Sequence, residues 1–252
     1  MMVRYLVKFA IRIAIFFAVF ILYLTDKELM YRLIMQPIYM GITPMHLLWL
    51  LFMGMMILHI FPMEKVTMAL LKTEKKRFVP QENYSEIELF RFVKEQNARA
   101  WKVMLLWLSF NAVFGILYLF DIIGVEDLLM LSVFYFLCDY ICILIFCPFQ
   151  TFIMKNKCCI NCRIYDWGHF MMYTPMLFVP SFFSWSLFFT SCIVLIRWEI
   201  AYTSHPERFW HGSNTAIRCE NCKDRLCHVK RPLREIYTHI LPFCDPTDLD
   251  KY

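Results

Sequence analysis

Two short cysteine pairs carry the clearest chemical pattern in this chain of 252 residues. Both pairs read Cys-x-Asn-Cys, and a basic residue follows each of them. A turn with this spacing presents two thiolates to one metal ion, and two such turns complete a tetrahedral site with four sulfur ligands. The sequence therefore predicts a Zn²⁺ site formed by two cysteine knuckles, with the ligands Cys159, Cys162, Cys219 and Cys222.

Other chemistry is compatible with the same cysteines. Four thiolates also bind an iron–sulfur cluster, and Cys-x-x-Cys thiols carry out disulfide exchange where neighbouring bases lower their pKa. It is also open whether the two pairs share a site at all. His169 either supports the metal site together with Asp166 or caps the membrane boundary beside Trp167. The residues that could act as spare ligands or as partners of a ligand are Cys158, Asp166, His169, Cys227 and His228.

A further candidate is a carboxylate inside an apolar segment. Asp139 lies near the middle of a hydrophobic run, where a charge costs about 2.5–3.5 kcal/mol on insertion scales. Such a residue usually marks an ion, proton or substrate path, and Asn111 on a neighbouring segment would extend that path. The alternative is a structural hydrogen bond between segments, with Asn111 or Ser109 as the partner. Both interpretations remain open from the sequence.

The elements that would position these residues are membrane helices. The chain is 60% hydrophobic and 19% charged, whereas a soluble domain is nearer half apolar and a quarter charged. A fifth apolar stretch, 170–196, is broken by Pro175 and Pro180. We predict an all-α polytopic membrane protein with four transmembrane helices plus this Pro-broken re-entrant, or fifth, hydrophobic segment. The four spans are predicted at residues 5–24, 42–61, 101–120 and 127–148.

The distribution of Lys and Arg predicts the orientation. Of the 26 basic residues, only Lys27 and Arg32 fall in the short connections 25–41 and 121–126. Because positive charge stays cytoplasmic, these connections are predicted outside and the N-terminus inside. The basic C-terminal tail stays inside only if the stretch 170–196 turns back.

The metal site and the charge rule require the same topology. Residues 163–218 separate the two cysteine pairs and contain the whole fifth apolar stretch. The four sulfur atoms can meet only if both pairs lie on one side of the membrane. We therefore expect a re-entrant hairpin with its turn at Pro175 and Pro180.

The chain divides into two predicted regions. Residues 1–148 form a four-span bundle with a cytoplasmic helical hairpin at 62–102, and residues 149–252 contain the two knuckles, the re-entrant segment and a polar tail. Capping-box spacing predicts helix starts at Ser85 and Thr25, the latter opening a short interfacial helix.

The patterns favour two classes of function. There is no GxxxxGK[ST], GxGxxG, HExxH or GxSxG pattern. The net charge of +5 is explained by the topology and does not indicate nucleic-acid binding. Our first hypothesis is a small integral membrane module with a structural zinc site, acting as a transport or channel component or an accessory subunit. It would contact the lipid bilayer and a protein partner or a second copy. The alternative is a membrane-embedded redox or lipid-directed enzyme that uses the Cys, His and Asp cluster at the cytoplasmic boundary.

Overall fold

A computed structural model of the chain describes residues 2–35, 43–61, 78–156, 161–218 and 221. These residues form helices and irregular segments, with one isolated β-bridge between Pro80 and Asn214. Four helices are long and apolar enough to cross a membrane: α1 (Met2–Thr25), α4 (Glu86–Leu119), α5 (Val125–Leu144) and α7 (Phe182–Ser204). The shorter α-helices are α2 (Lys27–Met35), α3 (Pro44–Ile60) and α6 (Gly168–Tyr173). The predicted all-α architecture with four such helices is confirmed, but one of the four does not lie where it was predicted.

Side-chain caps set two of the helix starts. The Ser85 hydroxyl accepts a hydrogen bond from the Glu88 amide at 3.4 Å, as the capping-box spacing predicts, and α4 then continues without a break. The cap of α2 is Asp26, which accepts from the Leu29 amide at 2.8 Å. Thr25 was predicted for this role, but its hydroxyl donates back into α1 because Thr25 is the last residue of that helix.

Helix α3 is shorter than the predicted span 42–61. It contains 17 residues, which is the lower limit for crossing a bilayer. Pro44 opens the helix, and Phe61 ends it in an extended conformation. Phe61 precedes Pro62, and a residue before proline is disfavoured in the α conformation. Similarly, α5 ends at Leu144 rather than at residue 148, shortly before the Cys147–Pro148 peptide bond.

Helices α1 and α5 pack side by side in opposite directions. Near one end of the pair, the Tyr23 hydroxyl donates to Asp127. Arg12 binds Asp139 further along, and the Tyr5 and Tyr140 rings lie 6.5 Å apart near the other end. The packing of α1 is thus directed mainly towards α5.

Helices α3 and α7 run in the same direction. The Trp49 indole donates to the Ser186 hydroxyl at 2.7 Å. At the far end of the pair, Arg197 donates to the carbonyl of His59 at 2.7 Å and to that of Ile60. We call this end of the bundle the loop-rich end, because residues 149–156, 161–164 and 205–218 also lie there. The turns at 120–124 and 179–181 lie at the opposite end.

Residues 163–204 form a hairpin within the bundle. Its short limb, residues 165–178, consists of two 3₁₀ segments and α6, and it follows α4 away from the loop-rich end. The Trp107 indole donates to the Thr174 hydroxyl at 3.1 Å, and Gly115 lies against the Phe178 ring. After the extended turn at 179–181 the chain returns as α7.

The hairpin differs from the predicted segment 170–196 in extent and in the site of its turn. Pro175 lies inside a 3₁₀ segment, and only Pro180 is in the turn. The returning limb is a helix of 23 residues that extends beyond residue 196 to Ser204. It includes Arg197 and Glu199, whose charges have partners in the fold. The length of the apolar run therefore underestimated the length of this helix. Within the predicted hairpin 62–102, residues 62–77 lie outside the described residues.

Candidate functional site

The base of the hairpin is closed by an ion pair between a buried arginine and a partly exposed glutamate. The Arg163 guanidinium donates through two nitrogens to both carboxylate oxygens of Glu199, one of them at 2.7 Å. The Arg163 side chain is only 5% exposed. Because a buried charge is stable only with a well-placed partner and further hydrogen bonds, this pair fixes the two limbs relative to each other.

Three aromatic side chains complete the surroundings of this pair. The Trp167 indole donates to Glu199 at 2.8 Å, and the Trp198 indole donates to the Arg163 carbonyl at 2.8 Å. The Arg163 guanidinium lies 3.7 Å from the centre of the Tyr202 ring, within the range of a cation–π interaction. The two charges are therefore paired, and Arg163 is shielded from solvent, whereas the Glu199 side chain is 35% exposed.

Cys162 lies directly beside this ion pair. It is 4% exposed and belongs to an apolar cluster at the loop-rich end. The other buried members of this cluster are Ala100, Val103, Met154, Ile164, Trp167, Trp198, Tyr202 and Phe209. One of the four predicted metal ligands is thus held in a well-packed environment.

The asparagines of the two cysteine pairs bind the same turn. Asn161 donates from its side-chain amide to the Ile217 carbonyl at 3.0 Å, and Asn221 donates in the same way to the Thr215 carbonyl at 2.9 Å. Residues Thr215–Ile217 form a single 3₁₀ turn. Asn161 and Cys162 of the first pair and Asn221 of the second therefore lie at the loop-rich end.

The shared turn is itself fixed by the segment that precedes α4. The Thr215 amide donates to the Val79 carbonyl at 3.0 Å, and the Gln81 amide donates to the Ser213 carbonyl at 2.9 Å. Asn214 is fully buried, and its side-chain amide donates to the Arg208 carbonyl at 2.8 Å. These bonds connect the turn to the distant segment 79–81 and to the neighbouring Arg208.

Most of the predicted metal ligands lie outside the described ranges. In the part of the chain that the structure describes, no three His, Cys, Asp or Glu side chains are arranged to hold one metal ion. The residues that lie outside it are Cys158, Cys159, Cys219, Cys222, Cys227 and His228. The four-sulfur site accordingly stays a prediction.

Asp139 forms an ion pair with a residue that the sequence reasoning did not select. Arg12 of α1 lies 2.8 Å from Asp139 and donates to the Phe136 carbonyl at 2.5 Å. Its guanidinium also lies 4.0 Å from the ring centres of both Phe136 and Tyr140. The position of Arg12 inside an apolar run was the signal that this residue needed a buried partner.

Asn111 has partners of its own. Its amide donates to the Trp107 carbonyl at 2.9 Å, and its oxygen accepts from the Tyr135 hydroxyl at 3.2 Å. No hydrogen bond between Asn111 and Asp139 occurs among the described residues. These two candidates therefore form separate contacts, one between α4 and α5 and the other between α1 and α5.

Asp166 and His169 are brought together with a histidine of α3. The Nδ1 atom of His59 lies 3.4 Å from a carboxylate oxygen of Asp166. The rings of His59 and His169 are 4.7 Å apart in an edge-to-face arrangement. Next to His169, the backbone of Gly168 approaches Asp139 so closely that a Cβ atom there would lie 2.8 Å from its oxygen.

The described residues thus belong to an all-helical protein with four helices long and apolar enough to cross a membrane. Polar contacts close the base of its hairpin. Comparisons with protein-family models, with curated proteins and with solved structures find no match. Any assignment of function therefore rests on the geometry of these sites.

Proposed function

We propose that the protein is a non-enzymatic integral membrane module in which a four-cysteine zinc site clamps the base of the 163–204 hairpin. It serves as a component of a transport or channel assembly or as an accessory subunit. The observation that carries the proposal is the binding of Asn161 and Asn221 to one turn, Thr215–Ile217. This contact supports a common location for the two cysteine pairs.

Zinc is the metal that suits this location best. Each asparagine immediately precedes the second cysteine of its pair, so the hydrogen bonds would hold the two proposed knuckles within one small region. Cys162 is buried in a packed cluster, which suits a closed structural site without a coordination position for substrate. An iron–sulfur cluster uses the same four thiolates and is the alternative that the metal analysis must distinguish.

The clamp would act on folding rather than on chemistry. Metal binding to a site that exists only in the folded chain contributes its binding free energy to folding. The Arg163–Glu199 pair already joins the two limbs near the same point. A metal there would keep this pair from separating, so the polar base of the hairpin would remain at the membrane boundary.

The charge distribution supports a cytoplasmic location for the loop-rich end. Lys155, Arg163 and Arg218 lie at this end, whereas α2, with Lys27 and Arg32, lies at the opposite end. Under the positive-inside rule the N-terminus and the segment that follows α7 are then cytoplasmic. The hairpin enters and leaves the membrane on that side.

The outer surface of the bundle suits contact with lipid. Val7, Ile11 and Ile21 of α1 are each more than half exposed. Trp101 of α4 is 66% exposed next to Lys102, a combination typical of the membrane–water interface. A protein partner or a second copy of the chain would bind on this same surface.

Metal analysis tests the clamp directly. The protein is purified without oxygen in detergent, and its zinc, iron and visible spectrum are measured. We expect about one zinc per chain and no colour for the native protein. The variant C159S/C219S should lose the metal, whereas Cys192→Ser, a control in the middle of α7, should keep it.

The same measurement has outcomes that contradict the proposal. Iron together with a brown colour would indicate an iron–sulfur cluster instead of zinc, and it would favour a function in electron transfer. Absence of metal, combined with an unchanged stability of C159S/C219S, would remove the joint site.

A membrane-embedded enzyme, either redox or lipid-directed, is the second candidate. The observation that favours it is the group of His59, Asp166 and His169 near the loop-rich end, where a lipid headgroup could reach it. A histidine paired with a carboxylate is a common arrangement for general acid–base catalysis. Hydrolysis or oxidation of a lipid by purified protein, lost in His59→Gln, would favour this candidate.

A further inference from the structure

A row of five polar side chains crosses the interior of the bundle from α1 to the loop-rich end. Arg12 binds Asp139, Asp139 faces the backbone of Gly168, His169 packs against His59, and His59 pairs with Asp166. We call Arg12, Asp139, His169, His59 and Asp166 the polar row. It joins residues of α1, α3, α5 and the short limb, which are otherwise held together mainly by apolar packing.

The hydrogen bonds within the polar row do not satisfy all of its polar atoms. Asp139 binds Arg12 through Oδ2, while its Oδ1 faces Gly168 and accepts no hydrogen bond from the described residues. Within the same part of the chain, neither ring nitrogen of His169 has a hydrogen-bond partner. The Tyr173 hydroxyl is buried without a partner among these residues and is close enough to Arg12 for that charge to act on it. A buried polar atom such as the Tyr173 hydroxyl is normally satisfied, by water where protein atoms do not reach it.

The side chains of the row are partly exposed among the described residues, and that of Asp139 is 32% exposed. His59 and Asp166 are 23% and 14% exposed and lie near the loop-rich end, where Arg197 caps α3. In the other direction, Phe52 packs against Tyr173 and Phe136 with ring centres 5.8 Å and 5.4 Å apart. An apolar cluster that includes Leu128, near the start of α5, extends beyond these rings. In the described part of the chain, the row thus opens towards the loop-rich end and is bounded by aromatic and apolar side chains in the other direction.

We propose that the polar row binds a proton at Asp139 and that His169 relays this proton from the His59–Asp166 pair. The inference goes beyond the zinc clamp and does not depend on it. Carboxylates and histidines arranged in series inside a membrane are the groups that form proton relays. The ligand is a proton taken from water at the loop-rich end.

The transfer is balanced at every atom. A proton reaches one ring nitrogen of His169 while the other ring nitrogen releases its proton to Asp139 Oδ1. His169 is neutral before and after, and Asp139 becomes a neutral carboxylic acid. Four charged or titratable groups face His169: His59 from α3, Asp166 from its own limb, Asp139 from α5 and Arg12 from α1. From α7, the Arg197 side chain donates a hydrogen bond to the His59 carbonyl.

Protonation of Asp139 would change how α1 is held. The ion pair with Arg12 is lost, but Arg12 keeps its bond to the Phe136 carbonyl and its contacts with two aromatic rings. The side chain can therefore stay in place while the electrostatic attraction between α1 and α5 weakens. Proton binding at the loop-rich end is thereby coupled to the packing of α1.

Infrared spectroscopy of the full chain in lipid nanodiscs tests the relay. After a rapid drop in pH, we expect a carboxylic acid C=O band to appear, and this band should be absent in Asp139→Asn. In His169→Phe the band should appear roughly 100-fold more slowly, because a positioned proton-transfer group typically contributes 10²–10⁴-fold. The control His205→Phe changes a histidine that lies outside the row and is 46% exposed, so it should leave the rate unchanged.

Two results would overturn the proposal. The first is the absence of any carboxylic acid band that Asp139→Asn removes, in spectra recorded between about pH 5 and 8. Histidine normally titrates in this range. The second is an unchanged rate in His169→Phe. If His169→Phe does not fold, His169→Gln provides the same test, because glutamine is polar and similar in size but cannot accept and release a proton.

Discussion

Asn161 and Asn221 occupy the same position in two cysteine pairs that are far apart in the sequence, and their side chains donate to carbonyls of a single turn, Thr215–Ile217. The Asn161 bond joins the segment before the hairpin to the segment after it. The base of the hairpin is closed by two sets of polar contacts, this turn and the Arg163–Glu199 pair. Both sets would position the knuckles before a metal binds.

The first prediction concerns the turn. Asn161→Ala removes the bond to the Ile217 carbonyl, so the first knuckle loses its fixed position relative to the second. We expect zinc affinity to fall about 10-fold, the lower end of the effect seen when a residue that orients metal ligands is removed. Competition with a chelator measures the affinity. Asn83→Ala, at an exposed position before α4, is the control and should bind zinc normally. Equal affinities for the two variants would show that the turn does not position the site.

The second prediction concerns the Arg163–Glu199 ion pair. Glu199→Ala leaves the Arg163 guanidinium and the Trp167 indole without their acceptor, and we expect a loss of about 3 kcal/mol in unfolding free energy. Unfolding in mixed detergent micelles measures this loss. Glu88→Ala, at an exposed position in the first turn of α4, should cost less than about 1 kcal/mol.

The pair can be tested further by replacing both charges. R163M/E199M removes both charges together, and apolar side chains of similar volume often restore stability. We expect this double variant to be more stable than Glu199→Ala. If it is less stable, the hydrogen bonds of the pair matter more than the cost of its burial.

The third prediction compares two glycines inside helices. A Cβ atom at Gly115 would collide with the Phe178 ring, whereas a Cβ atom at Gly54 would meet no described atom within 4 Å apart from its chain neighbours and the backbone of its own helix. Gly115→Ala should therefore destabilise the protein by about 1–3 kcal/mol through overpacking. Gly54→Ala should be neutral or stabilise it by up to about 1 kcal/mol, because alanine favours a helix more than glycine does. Thermal unfolding in detergent distinguishes the two, and equal shifts would contradict the close packing of the short limb on α4.

The fourth prediction concerns topology. In the proposed orientation, Ile122→Cys lies outside the cell, and Thr203→Cys lies on the cytoplasmic side. Both positions are exposed in the fold. A thiol reagent that cannot cross membranes should label Ile122→Cys in intact cells and Thr203→Cys only after permeabilisation, relative to the native protein as background. The reverse pattern would invert the orientation, and labelling of both in intact cells would contradict a hairpin that returns to the cytoplasm.

Local sequence determined the features that depend on neighbouring residues. The apolar runs indicated membrane helices, Ser85 marked the start of α4, and Pro180 marked a break in the fifth stretch. The matched Cys-x-Asn-Cys patterns indicated that two distant segments belong together. Each of these signals is carried by side-chain type and spacing along a few turns of chain, so it can be recognised without the fold.

Only the tertiary structure decided how the charged side chains are accommodated. Arg197 and Glu199 interrupt the apolar run, which made the fifth stretch seem to end at residue 196, yet α7 continues because His59 and Arg163 supply partners. In the same way, Arg12 of α1 satisfies Asp139 of α5. Hydrophobicity is a property of a segment and can be summed along the sequence. The free energy of a buried charge depends on the group that folding places next to it, and that group is distant in the chain.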